Sequence, residues 1–164
     1  MTEIVTRNEV LGFAERTRRN LEYIEEVKAE DPTAPVHVVT QLALSLLGIV
    51  VFPYEKLDKD IFAKISGKTI AEMKAGGWLG WSITLDSSPA PTTTLGDLLK
   101  HVRNAAAHGG LLFNSDSTDM SEVAIVAQDK PRKKAAINWE AEIQASQLRD
   151  FCLTFLKLVD DVVS

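Results

Sequence analysis

The sequence is poor in the groups that most often announce a chemistry. A single cysteine, Cys152, rules out an intramolecular disulfide, and one Cys with three His builds neither a zinc site nor a haem attachment. There is no basic excess: 18 Lys and Arg stand against 23 Asp and Glu, a formal charge of -5. A domain-wide field that draws nucleic acid indiscriminately is therefore excluded, and any basic site has to be local. The opening residues MTEIVTRNEV lack the basic stretch followed by an apolar run that a secretory signal needs, so a cytoplasmic protein is expected. Nor is there a long apolar run. Leu42 to Phe52 is broken by Ser45 and Gly48 and falls short of the ~20 residues that span a bilayer, so it reads as a buried helix and no membrane partner is expected.

What is present fits one domain over residues 1–164, with 45% hydrophobic residues for a single core. Thr6 and Glu9 have the form of a capping box, and Val10, Phe13, Ala14, Leu21, Ile24 and Val27 then recur at helical spacing, predicting a helix from Arg7 to Ala29. Its charged face, with Glu15, Arg16, Arg18, Arg19 and Glu22, is of mixed sign and reads as solvated. A second helix, Val36 to Val51, is apolar around most of its circumference and is expected to stop at Pro53. Residues 57 to 75 predict one or two short amphipathic helices ended by Gly76-Gly77. Leu95, Leu98, Leu99 and Val102 form the stripe of a third main helix, opened by Thr94 with Asp97 and ended by Gly109-Gly110. Glu122 to Ala127 and Ala135 to Ile143 are rich in β-formers around a polar loop, Gln128 to Lys134, and predict a hairpin. A last helix begins near Ser146. The fold class expected is mainly α: a bundle of about four main helices with a β-hairpin inserted before the last.

Several familiar motifs fail on inspection. Gly67-Lys68-Thr69 lacks the first glycine of a phosphate-binding loop, because Phe62 holds that place and the context is helical. Gly80-Trp81-Ser82 lacks the second glycine of a nucleophile elbow, since Thr84 stands there. Asp116 and Asp119 have no metal-ligand partner set, and Cys152, on an apolar helical stripe, reads as a small core residue. Trp78 and Trp81 read as packing a loop onto the bundle in preference to stacking unpaired bases.

Lys100-His101-Val102-Arg103-Asn104-Ala-Ala-Ala-His108-Gly109 is different. An Arg followed by a polar residue, with a His after four intervening residues near the end of a helix in a small bundle, resembles the signature of the HEPN superfamily (higher eukaryotes and prokaryotes nucleotide-binding). Arg19-Asn-Leu-Glu-Tyr-Ile-Glu-Glu and Val39-Thr-Gln-Leu-Ala-Leu-Ser-Leu-Leu-Gly-Ile-Val-Val-Phe-Pro extend the likeness, over most of the chain, to a plasmid- and genomic-island-borne bacterial subfamily.

The resemblance implies a HEPN-like bundle and a homodimer whose equivalent helices bring two Arg/His pairs to one cleft. It also implies an endoribonuclease that needs no metal or other cofactor, of a toxin or anti-phage system, with RNA as substrate and an antitoxin or other protein as a further partner. The alternative is a noncatalytic homodimeric module that binds RNA, nucleotide or a protein. Arg103, Asn104 and His108 are the candidate catalytic residues. Lys100 and His101 on the same helix, and Lys130, Arg132, Lys133 and Lys134 in the hairpin loop, are the candidate RNA contacts. The residue types suit that chemistry, since an imidazole moves a proton near neutrality and a guanidinium holds a phosphate. Positions five apart on an unbroken helix differ by about 140° and ~7.5 Å of rise. Arg103 and His108 therefore meet one phosphate only if the glycines swing the His inward or a two-fold axis shares the work. HEPN toxins silenced by a nucleotidyltransferase partner carry a Tyr two residues after the motif His. Gly110 stands there, which excludes adenylylation at that position.

Overall fold

The computed structural model describes residues 2–132 and 134–163, with side chains from Glu9 onward. Helix α1 (Thr2–Glu30) turns Val10, Ala14 and Leu21 into the core. It is already helical at Thr2, which corrects the expected start at Arg7. Thr2 to Val5 contain no helix breaker, so the helix runs on upstream of Thr6 instead of being capped by it.

The second helix also outruns its expected boundary. α2 (Val38–Leu46) passes through a π-helical segment (Leu47–Val51) into α3 (Phe52–Lys56), and Pro53 lies inside the continuous helix. The Phe52 N–H donates to the Leu47 carbonyl, five residues back. That wider turn, just ahead of the proline, accommodates a residue that has no N–H and a bulky ring. By length and composition, Val38–Lys56 is apolar enough to cross a membrane. In this fold it is a core helix, with Leu42, Leu46 and Ile49 fully buried. At Gly48 an added Cβ would lie 2.6 Å from Thr17 Oγ1, so the glycine lets α1 and the central helix approach closely.

Two short helices, α4 (Lys59–Ser66) and α5 (Ile70–Ala75), bring Ile65 and Met73 to the core. Trp78 stacks on Phe151 with ring centroids 5.8 Å apart, and Trp81 meets the same ring edge-on at 6.2 Å, so both indoles pack the loop onto the bundle. Cys152 is fully buried, and burial pushes its thiol pKa up, as suits an inert core residue.

The fold is mainly α, but its sheet is larger than one hairpin. Strands β1 (Ser82–Asp86), β2 (Leu111–Phe113), β3 (Ala124–Asp129) and β4 (Trp139–Gln144) form an antiparallel sheet in the order β1-β4-β3-β2. The expected hairpin is β3 and β4, and β3 runs on through Asp129, past the expected loop start at Gln128. Helix α6 (Leu95–Ala107) packs on β3, and α7 (Ala145–Val163) closes the core with Leu148, Phe151, Phe155 and Val159.

Candidate RNA-binding site on helix α6

Helix α6 is fixed at both ends. At the expected helix start Thr94 and Asp97 make a capping box: the Thr94 hydroxyl oxygen accepts from the Asp97 N–H, and Asp97 accepts from the Thr94 N–H at 3.0 Å. Burial pushes the Asp97 carboxyl pKa upward, but the hydrogen bonds from Thr93 and Thr94 outweigh it and leave it below its ordinary value. At the other end His108 has left helical geometry, with φ -110° and ψ 13°, and Gly109 takes φ +71°. The Gly110 N–H returns to the Ala105 carbonyl at 2.7 Å, a Schellman closure. The Gly110 carbonyl accepts from the Gln128 N–H at 2.8 Å, so the helix end is tied directly to the sheet. A Cβ at Gly110 would lie 2.2 Å from the Gln128 carbonyl oxygen. No side chain fits there, a tyrosine included.

Between these ends lies a connected set of polar groups. Strand alternation turns Ile125, Ala127 and Asp129 of β3 toward α6, so a carboxylate stands where the pattern calls for an apolar residue. Asp129 is only 7% exposed. Its Oδ2 is 2.8 Å from His101 Nδ1 and accepts from Asn104 Nδ2 at 3.0 Å, while its Oδ1 accepts from the Lys130 N–H at 2.8 Å. Asn104 Oδ1 accepts from Arg103 Nη1 at 3.0 Å, and Arg103 Nε donates to Glu55 at the end of α3. The hydrogen bond that Arg103 donates to Glu55 raises its pKa further, and the guanidinium stays charged. Tyr54 lies beside it: burial pushes its phenol pKa up, and the Arg103 charge partly opposes that.

The expected site residues therefore separate. Arg103 and Asn104 are joined and partly exposed. His108 is exposed beyond the helix end, and among the described residues no hydrogen bond joins it to Arg103. His101 is corrected as an RNA contact: it is 8% exposed, bonded to Asp129 and stacked on Trp139, which leaves it no face for a polynucleotide. Lys100, Lys130, Arg132 and Lys134 are exposed, and Lys133 lies outside the described residues. The hairpin loop starts beside α6, because Lys130 shares Asp129 with Asn104.

Asp129 and Glu55 escaped the sequence reading. Each is far from Arg103 along the chain, and an Asp beside Lys130 and Pro131 has the local look of a loop residue. The one available signal was inward alternation along Ile125, Ala127 and Asp129.

A bundle of this kind, with Arg103-Asn104 and His108 at the end of a helix that runs into a sheet edge, defines a HEPN-type module. The profile of the family described as HEPN pEK499 p136 matches residues 1–164, and the chain belongs to that family. No curated protein and no solved structure matches it.

Proposed function

We propose that the protein is a metal-independent endoribonuclease of a bacterial toxin or anti-phage defence system, acting in the cytoplasm as a homodimer. The observation that carries this reading is the state of Arg103. Among the described residues Glu55 and Asn104 engage two of its five N–H donors, leaving three on an oriented, partly exposed guanidinium to meet a phosphate. Exposed His108 supplies the proton chemistry. A neutral imidazole takes the proton of an RNA 2'-hydroxyl, and that oxygen attacks the adjacent phosphorus. The bond to the 5'-oxygen breaks, and an imidazolium protonates the departing oxygen. The products are a 2',3'-cyclic phosphate and a 5'-hydroxyl. Two imidazole roles and one His108 per chain favour a two-fold arrangement. Lys100, Lys130, Arg132 and Lys134 extend the phosphate track in this reading.

The dimer face we infer lies on the central helix. Leu44 is 54% exposed and Leu47 is also exposed, on the side that continues through Val51 to Glu55, the residue bonded to Arg103. Exposed Phe113, five residues past His108, shares a cleft of about 310 Å3 with Thr40 of the same helix.

A second reading, a noncatalytic homodimeric module for RNA, nucleotide or a protein, is favoured by the Glu55 ion pair, which gives Arg103 an ordinary partner. Incubating purified protein with RNA in EDTA, beside Arg103→Ala and His108→Ala, separates the two. Cleavage by the wild type and its loss in both variants is the expected result. RNA binding without cleavage would select the noncatalytic module.

A further inference from the structure

We propose that Asp129 is a positioning residue, acting on Arg103 through the amide of Asn104 and so making the β3–β4 hairpin a working part of the site. The inference rests on reading Arg103 as the phosphate ligand, and it assigns a role to a residue outside the Arg-Asn-His motif.

The argument begins with a cost. Burying a carboxylate among apolar positions is unfavourable unless donors replace the lost water, and an apolar residue would continue the inward row Ile125, Ala127 more simply. Here the donors come from three places: His101, Asn104 and the Lys130 backbone. His101 alone would explain a buried partner, but it would not explain why Asn104, a partly exposed residue, donates to the same oxygen.

The orientation of Asn104 follows from its neighbours. A guanidinium only donates and a carboxylate accepts, so the Asn104 amide has one arrangement that satisfies both: nitrogen toward Asp129, oxygen toward Arg103. The reverse puts donor against donor and acceptor against acceptor. Asp129 thus selects the face that Asn104 offers to Arg103. With Glu55 holding Nε from the other side, the guanidinium is held at two points. Arg103 pays less conformational entropy on meeting a phosphate when its direction is already set. Asp129 itself touches no substrate in this scheme.

The test reads the relay first without RNA. In the full-length protein, nitrogen-15 NMR should show the Asn104 side-chain amide and the Arg103 guanidinium exchanging slowly with water. Asp129→Ala should speed exchange at both by about ten-fold, as Asn104→Ala should at Arg103 alone. If Asp129→Ala does not fold, Asp129→Asn keeps the volume but cannot accept from all three donors, and it should speed exchange at both groups to a smaller extent. Guanidinium exchange unchanged from wild type in a folded Asp129 variant would overturn the proposal.

The second reading uses RNA blocked against cleavage by 2'-O-methyl groups. Asp129→Ala should weaken its binding by about ten-fold in the wild-type background and by less than about two-fold in Asn104→Ala, because the effect passes through that amide. Equal losses in both backgrounds would mean that Asp129 acts independently of Asn104, and would also overturn the proposal. If the NMR changes appear while Arg103→Ala binds RNA as well as wild type, the positioning role stands and the phosphate-ligand reading of Arg103 falls.

Discussion

The imidazole of His101 lies flat on the indole of Trp139, with ring centroids 4.7 Å apart and planes within 9°, while its Nδ1 faces Asp129. The ring is therefore a structural link between α6 and the sheet. His101→Ala should cost about 2–3 kcal/mol of stability, because it removes a stacking surface and leaves a buried carboxylate short of a donor. Lys100→Ala, one residue earlier and exposed, should stay within about 0.5 kcal/mol of wild type. Urea unfolding of the two variants checks this, and equal midpoints would contradict it.

The paired glycines after His108 should behave differently. Gly109→Ala meets open space but a positive φ, a penalty of about 1–2 kcal/mol. Gly110→Ala drives a methyl group into the Gln128 carbonyl and should be the more damaging, at about 3 kcal/mol, with β2 parting from β3. Thermal melts that rank them in the opposite order would refute the packing argument.

Asp97 supplies a pH dependence. Its carboxyl pKa lies lower in the folded chain than in the unfolded one, so its contribution is complete above the ordinary carboxylate range and is lost as pH falls through the lowered value. Asp97→Ala should cost about 1 kcal/mol at pH 7, the usual worth of a helix N-terminal box. The gap from wild type should close on acidification below about pH 4. A gap that held constant to pH 3 would be incompatible with an ionised cap.

If the exposed side of the central helix is the dimer face, Leu44→Asp should yield a folded monomer, since the side chain it replaces is more than half exposed. Light scattering at micromolar concentration measures this. A wild type that is itself monomeric, or a variant that remains dimeric, would dismiss that face.

The division of labour between Arg103 and His108 can be read by mixing variants. Arg103→Ala and His108→Ala should each abolish cleavage. After subunit exchange, service across the axis restores up to one working site per mixed dimer, whereas service within a chain restores none. Recovery would place the Arg103 and the His108 of one working site on different chains. Full exchange without recovery would assign both residues to one chain's site.

Local patterns carried much of the fold. The cap at Thr94 and the glycines at 109 and 110 delimit α6 because each end is decided by its own few residues. Pro53 misled because the compensating π-turn lies in an apolar run, Leu47–Val51, with no distinguishing chemistry. β1 and β2 were illegible for a related reason: Ser82–Asp86 buries almost nothing, and Leu111–Phe113 is three residues long, so neither shows clear alternation. Arg103, Asn104 and His108 stood out because their spacing falls at the end of an amphipathic helix closed by Gly109-Gly110. Asp129 and Glu55 reach Asn104 and Arg103 across 25 and 48 residues, a proximity created by the packing of the hairpin and of α3.

The double tie at Gly110 has a mechanical consequence. An ordinary helix end frays on its own, but here the residue two beyond His108 is bonded to Ala105 on one side and to Gln128 on the other. Loosening the His108 backbone therefore means peeling the outermost strand from its neighbour, a cooperative opening instead of a local one. The imidazole is exposed to solvent, yet its anchor shares the persistence of the sheet edge.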